Sequence, residues 1–143
     1  MNRFVLFFLM IALAACKKNR SEIVPEKPVT KKIEYHIFTA KDYSAPIYAN
    51  IKVEVRLQIH RINFKTGETQ ILWDSLFSAK FITEFPQYAN KIIIEKRFAV
   101  YESKEKLNGS FGVKYNDSGY ISQYGEGDDV VPGEMSTLLE AGL

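Results

Sequence analysis

The stretch that most restricts the fold is Asn50–Arg61, where Ile51, Val53, Val55, Leu57 and Ile59 alternate with Lys52, Glu54, Arg56, Gln58 and His60. Successive side chains of a strand point to opposite sides, so this alternation gathers the five aliphatic residues onto one face. A helix would scatter them around its circumference. The stretch predicts a strand with one side in a core and the other in water. Such a strand is not stable alone; it needs hydrogen-bonded neighbours and a second layer over its apolar face.

The rest of the chain supplies candidates for both. Ile33–Ala40 predicts a first strand, with Ile33, Tyr35 and Ile37 against Glu34 and His36, and with Phe38 interrupting the polar side. Lys41–Pro46 has loop chemistry. Lys65–Glu68 is a turn with Gly67 available for positive φ, and it leads into Thr69–Phe81, where Ile71, Trp73, Phe77 and Phe81 share one parity. Leu72 and Leu76 fall on the other parity, which predicts a bulge, or burial of both faces, near Asp74–Ser75. After a break at Phe85–Tyr88, Asn90–Ser103 resumes the alternation with Ile92, Ile94, Phe98 and Val100 inward. A charged connection, Glu102–Lys106, precedes a strand over Leu107–Tyr115. Asn116-Asp117-Ser118-Gly119 is a turn that returns the chain as a paired strand over Tyr120–Tyr124. Gly125–Gly133 holds three Gly, one Pro and three acids and reads as a loop. Met135–Leu143 alternates as a strand, although Leu138–Ala141 also suits a helix; strand is the expectation.

These segments add up to an all-β chain of about seven short strands, with two architectures open. One is an antiparallel two-sheet sandwich; the other is a small closed β-barrel. Over residues 33–143 the pattern resembles the immunoglobulin-like and transthyretin-like sandwiches of exported bacterial modules, without the Cys, Trp, Cys spacing of true immunoglobulin domains. The composition, 46% hydrophobic and 25% charged, is that of a chain able to bury a core.

The amino-terminal segment carries different information. Arg3 gives a positive start, Phe4–Ala12 an apolar core, and Leu13-Ala14-Ala15 a small-residue cleavage site ahead of Cys16, the sole cysteine. The apolar run Phe4–Ala15 falls short of the roughly 20 residues needed to span a bilayer. Leu13-Ala14-Ala15-Cys16 resembles the lipobox of bacterial lipoproteins. That resemblance implies a signal peptide at 1–15, covalent lipid (diacylglycerol and usually a further acyl group such as palmitate) on Cys16, and a cell-envelope location. Lys17 stands where an Asp would imply inner-membrane retention, so the implied site is the outer membrane, on the periplasmic or the surface face. With its only cysteine lipidated the chain has no disulfide partner, and the fold depends on its core.

Residues 16–32 read as a lipidated basic tether, with six Lys or Arg against two Glu, and with Pro25 and Pro28 keeping it extended beside anionic headgroups. From Ile33 onward the balance reverses, to 12 Lys or Arg and 15 Asp or Glu, and nothing basic follows Lys114. A nucleic-acid partner is not expected from such a distribution.

Candidate chemistry is sparse. There is no Gly-x-Ser-x-Gly elbow, no thiol free of lipid, and His36 and His60 both sit at water-facing strand positions, so the chain is not expected to be an enzyme. Asp117, Glu126, Asp128 and Asp129, with Glu134 nearby, present oxygens of the kind that bind calcium, though without the spacing of a calcium-loop consensus; a solvated acidic loop is the alternative. Trp73, Phe77, Phe98 and Phe111 belong to core positions. Tyr115, Tyr120 and Tyr124, around the Asn116–Gly119 hairpin, are the candidate binding surface, joined by Tyr88 and Tyr101. The functional expectation is a non-enzymatic module, held at the membrane by lipid, that tethers an envelope protein or glycan. The alternative is a structural subunit of an envelope or fibre assembly that uses strand addition.

Overall fold

Seven strands make up most of the computed structural model, which describes residues 25–143: β1 (Val29–Phe38), β2 (Ile51–Asn63), β3 (Thr69–Phe81), β4 (Ile92–Val100), β5 (Glu105–Asp117), β6 (Tyr120–Val130) and β7 (Ser136–Gly142). The signal peptide expected at residues 1–15 and the lipidation expected at Cys16 lie outside the described residues. The strands form a three-stranded sheet in the order β4-β1-β7 and a four-stranded sheet in the order β3-β2-β5-β6. The two sheets pack face to face as a sandwich rather than closing into a barrel.

The alternation of β2 works as its sequence requires. Val53, Val55, Leu57 and Ile59 are fully buried and face Ile33, Tyr35 and Ile37 of β1 across the sandwich, with Leu107, Phe111 and Val113 of β5 beside them. Burial of that apolar area is the main source of stability in a chain without disulfides. Tyr35 carries a polar group into this layer and satisfies it, its hydroxyl donating to the Gln58 carbonyl at 2.6 Å. The sheets approach closely at Gly109, where a Cβ would lie 2.7 Å from Leu139 Cδ1 and 2.9 Å from Ile33 Cγ2.

One pairing departs from the antiparallel expectation. β1 pairs antiparallel with β4 but parallel with β7. The reason is the route of the chain: β6 descends, the 131–135 connection crosses between sheets at the lower end, and β7 must then ascend beside β1, which also ascends. Met135–Leu143 is accordingly a strand, over Ser136–Gly142.

Three further expectations are corrected. The folded body begins at Val29, so Lys31 and Lys32 belong to β1 and not to the tether. Lys31 is fully buried, with Nζ donating to the Val131 carbonyl at 2.5 Å and bridging Glu102 at 2.8 Å. Gly125–Gly133 is not a loop throughout, because β6 stays paired with β5 as far as Val130. In β3 the register shifts twice against β2, between the partners of Val53 and Val55 and between those of Ile59 and His60. These two bulges flank Asp74–Ser75, near which the parity conflict predicts one, and what they correct is the shared inward parity of Ile71 and Phe81. The second turns Leu72 toward the core beside Trp73 and leaves Ile71 57% exposed, and Phe81 is also exposed.

Candidate functional site

The order of strands sorts the connections between two ends of the sandwich. At the end where the chain enters β1 lie the 63–69 turn and the 101–104 and 131–135 connections. Glu26 is fixed to that end, its carboxylate accepting from the Ser103 amide at 2.9 Å and from the Ser103 hydroxyl. At the opposite end lie the 39–50 and 82–91 connections, the β5–β6 hairpin and the carboxyl terminus. Six of the eight tyrosines, Tyr43, Tyr48, Tyr88, Tyr115, Tyr120 and Tyr124, are at this far end. Of the others, Tyr35 is core, and Tyr101 stands at the near end.

Local sequence places each ring. Ser118 (φ 52°) and Gly119 (φ 98°) form a two-residue turn with both central φ values positive, the geometry that matches the strand twist of a tight hairpin. Gly119 N–H donates to Asn116 Oδ1 at 3.0 Å and locks it. Tyr120 therefore emerges at the tip, 76% exposed. Tyr124 lies beneath it, stacked on Tyr115 with centroids 6.3 Å apart and edge-on to Phe111 at 5.9 Å. Its hydroxyl donates to the Gly142 carbonyl at 2.9 Å, tying β6 to β7. Burial pushes the Tyr115 and Tyr124 phenols above their ordinary range, so both stay protonated donors at neutral pH.

Tyr43, read only as part of the Lys41–Pro46 loop, and Tyr48, which the sequence reading leaves unassigned, complete the cluster. Pro46–Tyr48 is a single 3-10 turn, and it sets the two rings edge to face at 5.0 Å with Lys41 Nζ 5.0 Å from each centroid. An open cleft of about 310 Å³ runs between this connection and 82–87, lined by Thr39, Asp42, Tyr43, Ile82, Phe85 and Gln87. Tyr88, 54% exposed, stands edge-on to Phe38 at 4.8 Å with Lys91 over its ring. Amphipathic rings that present an apolar face and a hydroxyl suit the capture of sugar faces or protein side chains. Of the candidates read from sequence, Tyr115 and Tyr124 are in contact, Tyr120 is free above them, and Tyr101 is apart.

The four acidic residues considered as calcium ligands do not converge. Asp117 is at the hairpin tip and bonds the Ser118 hydroxyl at 3.2 Å. Glu126, Asp128 and Asp129 are on β6, where Asp128 and Asp129 point to opposite faces. Asp128 takes the Thr137 hydroxyl, and Asp129 takes Lys106 and Asn108 Nδ2, the latter at 2.9 Å. The donors from Lys106 and Asn108 hold the Asp129 carboxyl below its ordinary range against the effect of its burial. Among the described residues no three His, Cys, Asp or Glu side chains are grouped to hold a metal ion.

His36 is also corrected. It lies on the outer side of β1 but is only 8% exposed, because Glu34 and Glu140 close over it. Its Nε2 is 2.7 Å from Glu34 Oε1 and its Nδ1 is 3.4 Å from Glu140 Oε1. Both ring nitrogens face carboxylates, which leaves neither free to serve as a base toward a substrate. The cross-strand neighbour Glu140 sits 104 residues away in the chain, and no spacing in the sequence announces it. His60 is half-buried on the outer face of β2.

Comparison of the chain with protein-family models, with curated proteins and with solved structures finds no match.

Proposed function

We propose that this chain is a non-enzymatic, lipid-anchored module of the cell envelope that holds a partner protein or glycan near the membrane. The observation that carries the reading is the segregation of its two ends. The chain that follows Cys16 enters at one end, and six tyrosines with the Thr39–Gln87 cleft are presented at the other. Lipid on Cys16 would stabilise attachment by about 0.8 kcal/mol per buried methylene, enough for a multi-chain anchor to hold without a second one. The tyrosine end would then face away from the bilayer, where tethering raises the effective concentration of a weak binder.

Two measurements test this. Cys16→Ser is expected to move the chain from the membrane to the soluble fraction, and retention at the membrane would remove the anchor. Co-sedimentation of the protein with lipid-stripped envelope fragments is expected to fall in a Tyr88→Ala/Tyr120→Ala variant whose circular dichroism is unchanged. Undiminished binding would remove the tyrosine end as the site.

A second reading, an assembly subunit that joins its neighbours by strand addition, is favoured by one feature only, the open edge of β6 (Tyr120–Val130). Size exclusion separates the two, since a subunit of that kind associates and a tethered receptor stays monomeric.

A further inference from the structure

Four strands border the two sheets, and three of them are blunted. Exposed edges offer unpaired N–H and C=O groups to other chains, and bulges, inward charges and short strands are the usual defences. β3 carries two bulges. β4 points Lys96 inward, its Nζ 4.9 Å from the Trp73 ring centroid. β7 is seven residues long and is tied across to β6 through Thr137–Asp128 and Gly142–Tyr124. β6 shares those two ties, which hold side chains on its inner face and leave its backbone edge without a bulge or a shortened ladder. It runs for 11 residues in unbroken register with β5 and contains neither lysine nor proline.

The turn at Ser118-Gly119 fixes which groups face outward. Its geometry makes Asp117 and Tyr120 a hydrogen-bonded pair, and such pairs alternate along an antiparallel ladder. Ile121, Gln123, Gly125 and Gly127 therefore direct their N–H and C=O away from β5. We propose that this edge binds an extended peptide strand with basic residues at alternate positions, adding antiparallel to β6. The proposal deepens the binding-module reading and rests on it for placing the partner in the envelope.

Charge and size along β6 choose the occupant. Glu126 and Asp128 project to the same side, and among the described residues no Lys, Arg or His pairs with either, whereas Asp129 on the other side has Lys106. The preceding half, with Tyr120, Ile121 and Tyr124, is exposed and uncharged. An antiparallel strand meets the acidic half first, so its amino-terminal part carries the alternating cations and its carboxyl-terminal part apolar or aromatic residues. Cross-strand pairs of these kinds are the unit of sheet stabilisation. On the opposite face Gly112 and Gly125 sit side by side in an open groove of about 460 Å³ bordered by Arg56, Lys114 and Gln123, with room for a side chain of the added strand.

The test uses the full chain in detergent and a synthetic seven-residue peptide with lysine at its first and third positions, tyrosine at its fifth and seventh, and threonine between. Titration calorimetry is expected to show saturable binding. Gln123→Pro, which deletes an outward N–H at a position where an edge strand accepts proline, is expected to abolish it while leaving the melting temperature near that of wild type. Glu126→Lys/Asp128→Lys is expected to weaken binding about tenfold and to take up the same peptide with glutamate in place of lysine. Equal binding of both peptides by wild type, or full binding by Gln123→Pro, overturns the proposal. So does a dimer of the wild type that Gln123→Pro dissociates, because the edge would then belong to a second copy. Lipid on Cys16 is read separately by mass. Peptide binding by a chain that carries no lipid supports the edge and sinks the tether, and a lipidated chain without peptide binding does the reverse.

Discussion

Tyr35 offers the sharpest test of the sandwich. Its ring is 1% exposed and lies 6.0 Å from Trp73, and its hydroxyl in β1 donates to Gln58 in β2, so one side chain both fills the core and bonds the two sheets. Burial pushes its phenol far above the ordinary range, which keeps it a protonated donor at neutral pH. Tyr35→Phe removes one buried hydrogen bond and is expected to cost about 1 kcal/mol. Tyr35→Ala also opens a cavity and is expected to cost about 3–5 kcal/mol, a large share of the 5–15 kcal/mol of a typical domain. At about 4 °C per kcal/mol for a body of this length, melting falls by roughly 4 °C for Phe and by 12 °C or more for Ala. Urea titration followed by tryptophan fluorescence measures both, with the slope unchanged. A one-residue slip of β1 would exchange Tyr35 with Glu34 and His36, so a cost below about 1 kcal/mol for Tyr35→Ala would refute the register and the layer built on it.

Other perturbations separate core, site and charge. Gly109→Ala forces a methyl against Leu139 and Ile33 and is expected to cost about 1–3 kcal/mol by overpacking, whereas Gly112→Ala, which meets open space, is expected to change the urea midpoint little. Tyr120→Ala is expected to leave the melting temperature unchanged and to reduce partner capture. Tyr124→Ala loses the bond to Gly142 and the stacking on Tyr115, and is expected to lower stability by about 1–2 kcal/mol as well. The Glu34 carboxyl is held below its ordinary value near 4.5, first by the hydrogen bond from Lys32 and then by His36, and that of Glu102 by Lys31 and the Gly133 N–H. A lowered folded value means that this stability is fully present above about pH 4.5 and is lost as pH falls through the folded values. Urea midpoints measured from pH 7 to 3 are expected to fall less steeply in Glu34→Gln than in wild type.

How much of this was legible in the sequence depends on whether the cause was local. The alternation of β2, the Gly67 turn and the Asn116–Gly119 hairpin follow from neighbours in the chain, and each stands where the residues place it. The parallel β1–β7 pair does not, because strand direction is set by the number of crossings the chain makes between sheets. The bulges of β3 were visible only as a parity conflict around Leu72 and Leu76, which marks an irregularity without locating it. Lys31 read as tether because a cation suggests solvent; its burial depends on Glu102 and Val131, which the fold brings from 71 and 100 residues away. Gly125–Gly133 read as loop because glycine and acids are poor strand formers, but pairing with β5 overrode that propensity. The tyrosines around the hairpin were visible as a cluster in sequence, whereas Tyr43 and Tyr48 join them only because the 39–50 connection crosses at the same end.

The account turns on the anchor that would orient the two ends, and the natural protein's own amino terminus tests it most directly. Mass spectrometry of the chain purified from native membranes is expected to find a peptide that begins at Cys16 and carries diacylglycerol on the sulfur. A peptide that begins at Met1, or a bare thiol at Cys16, would contradict it.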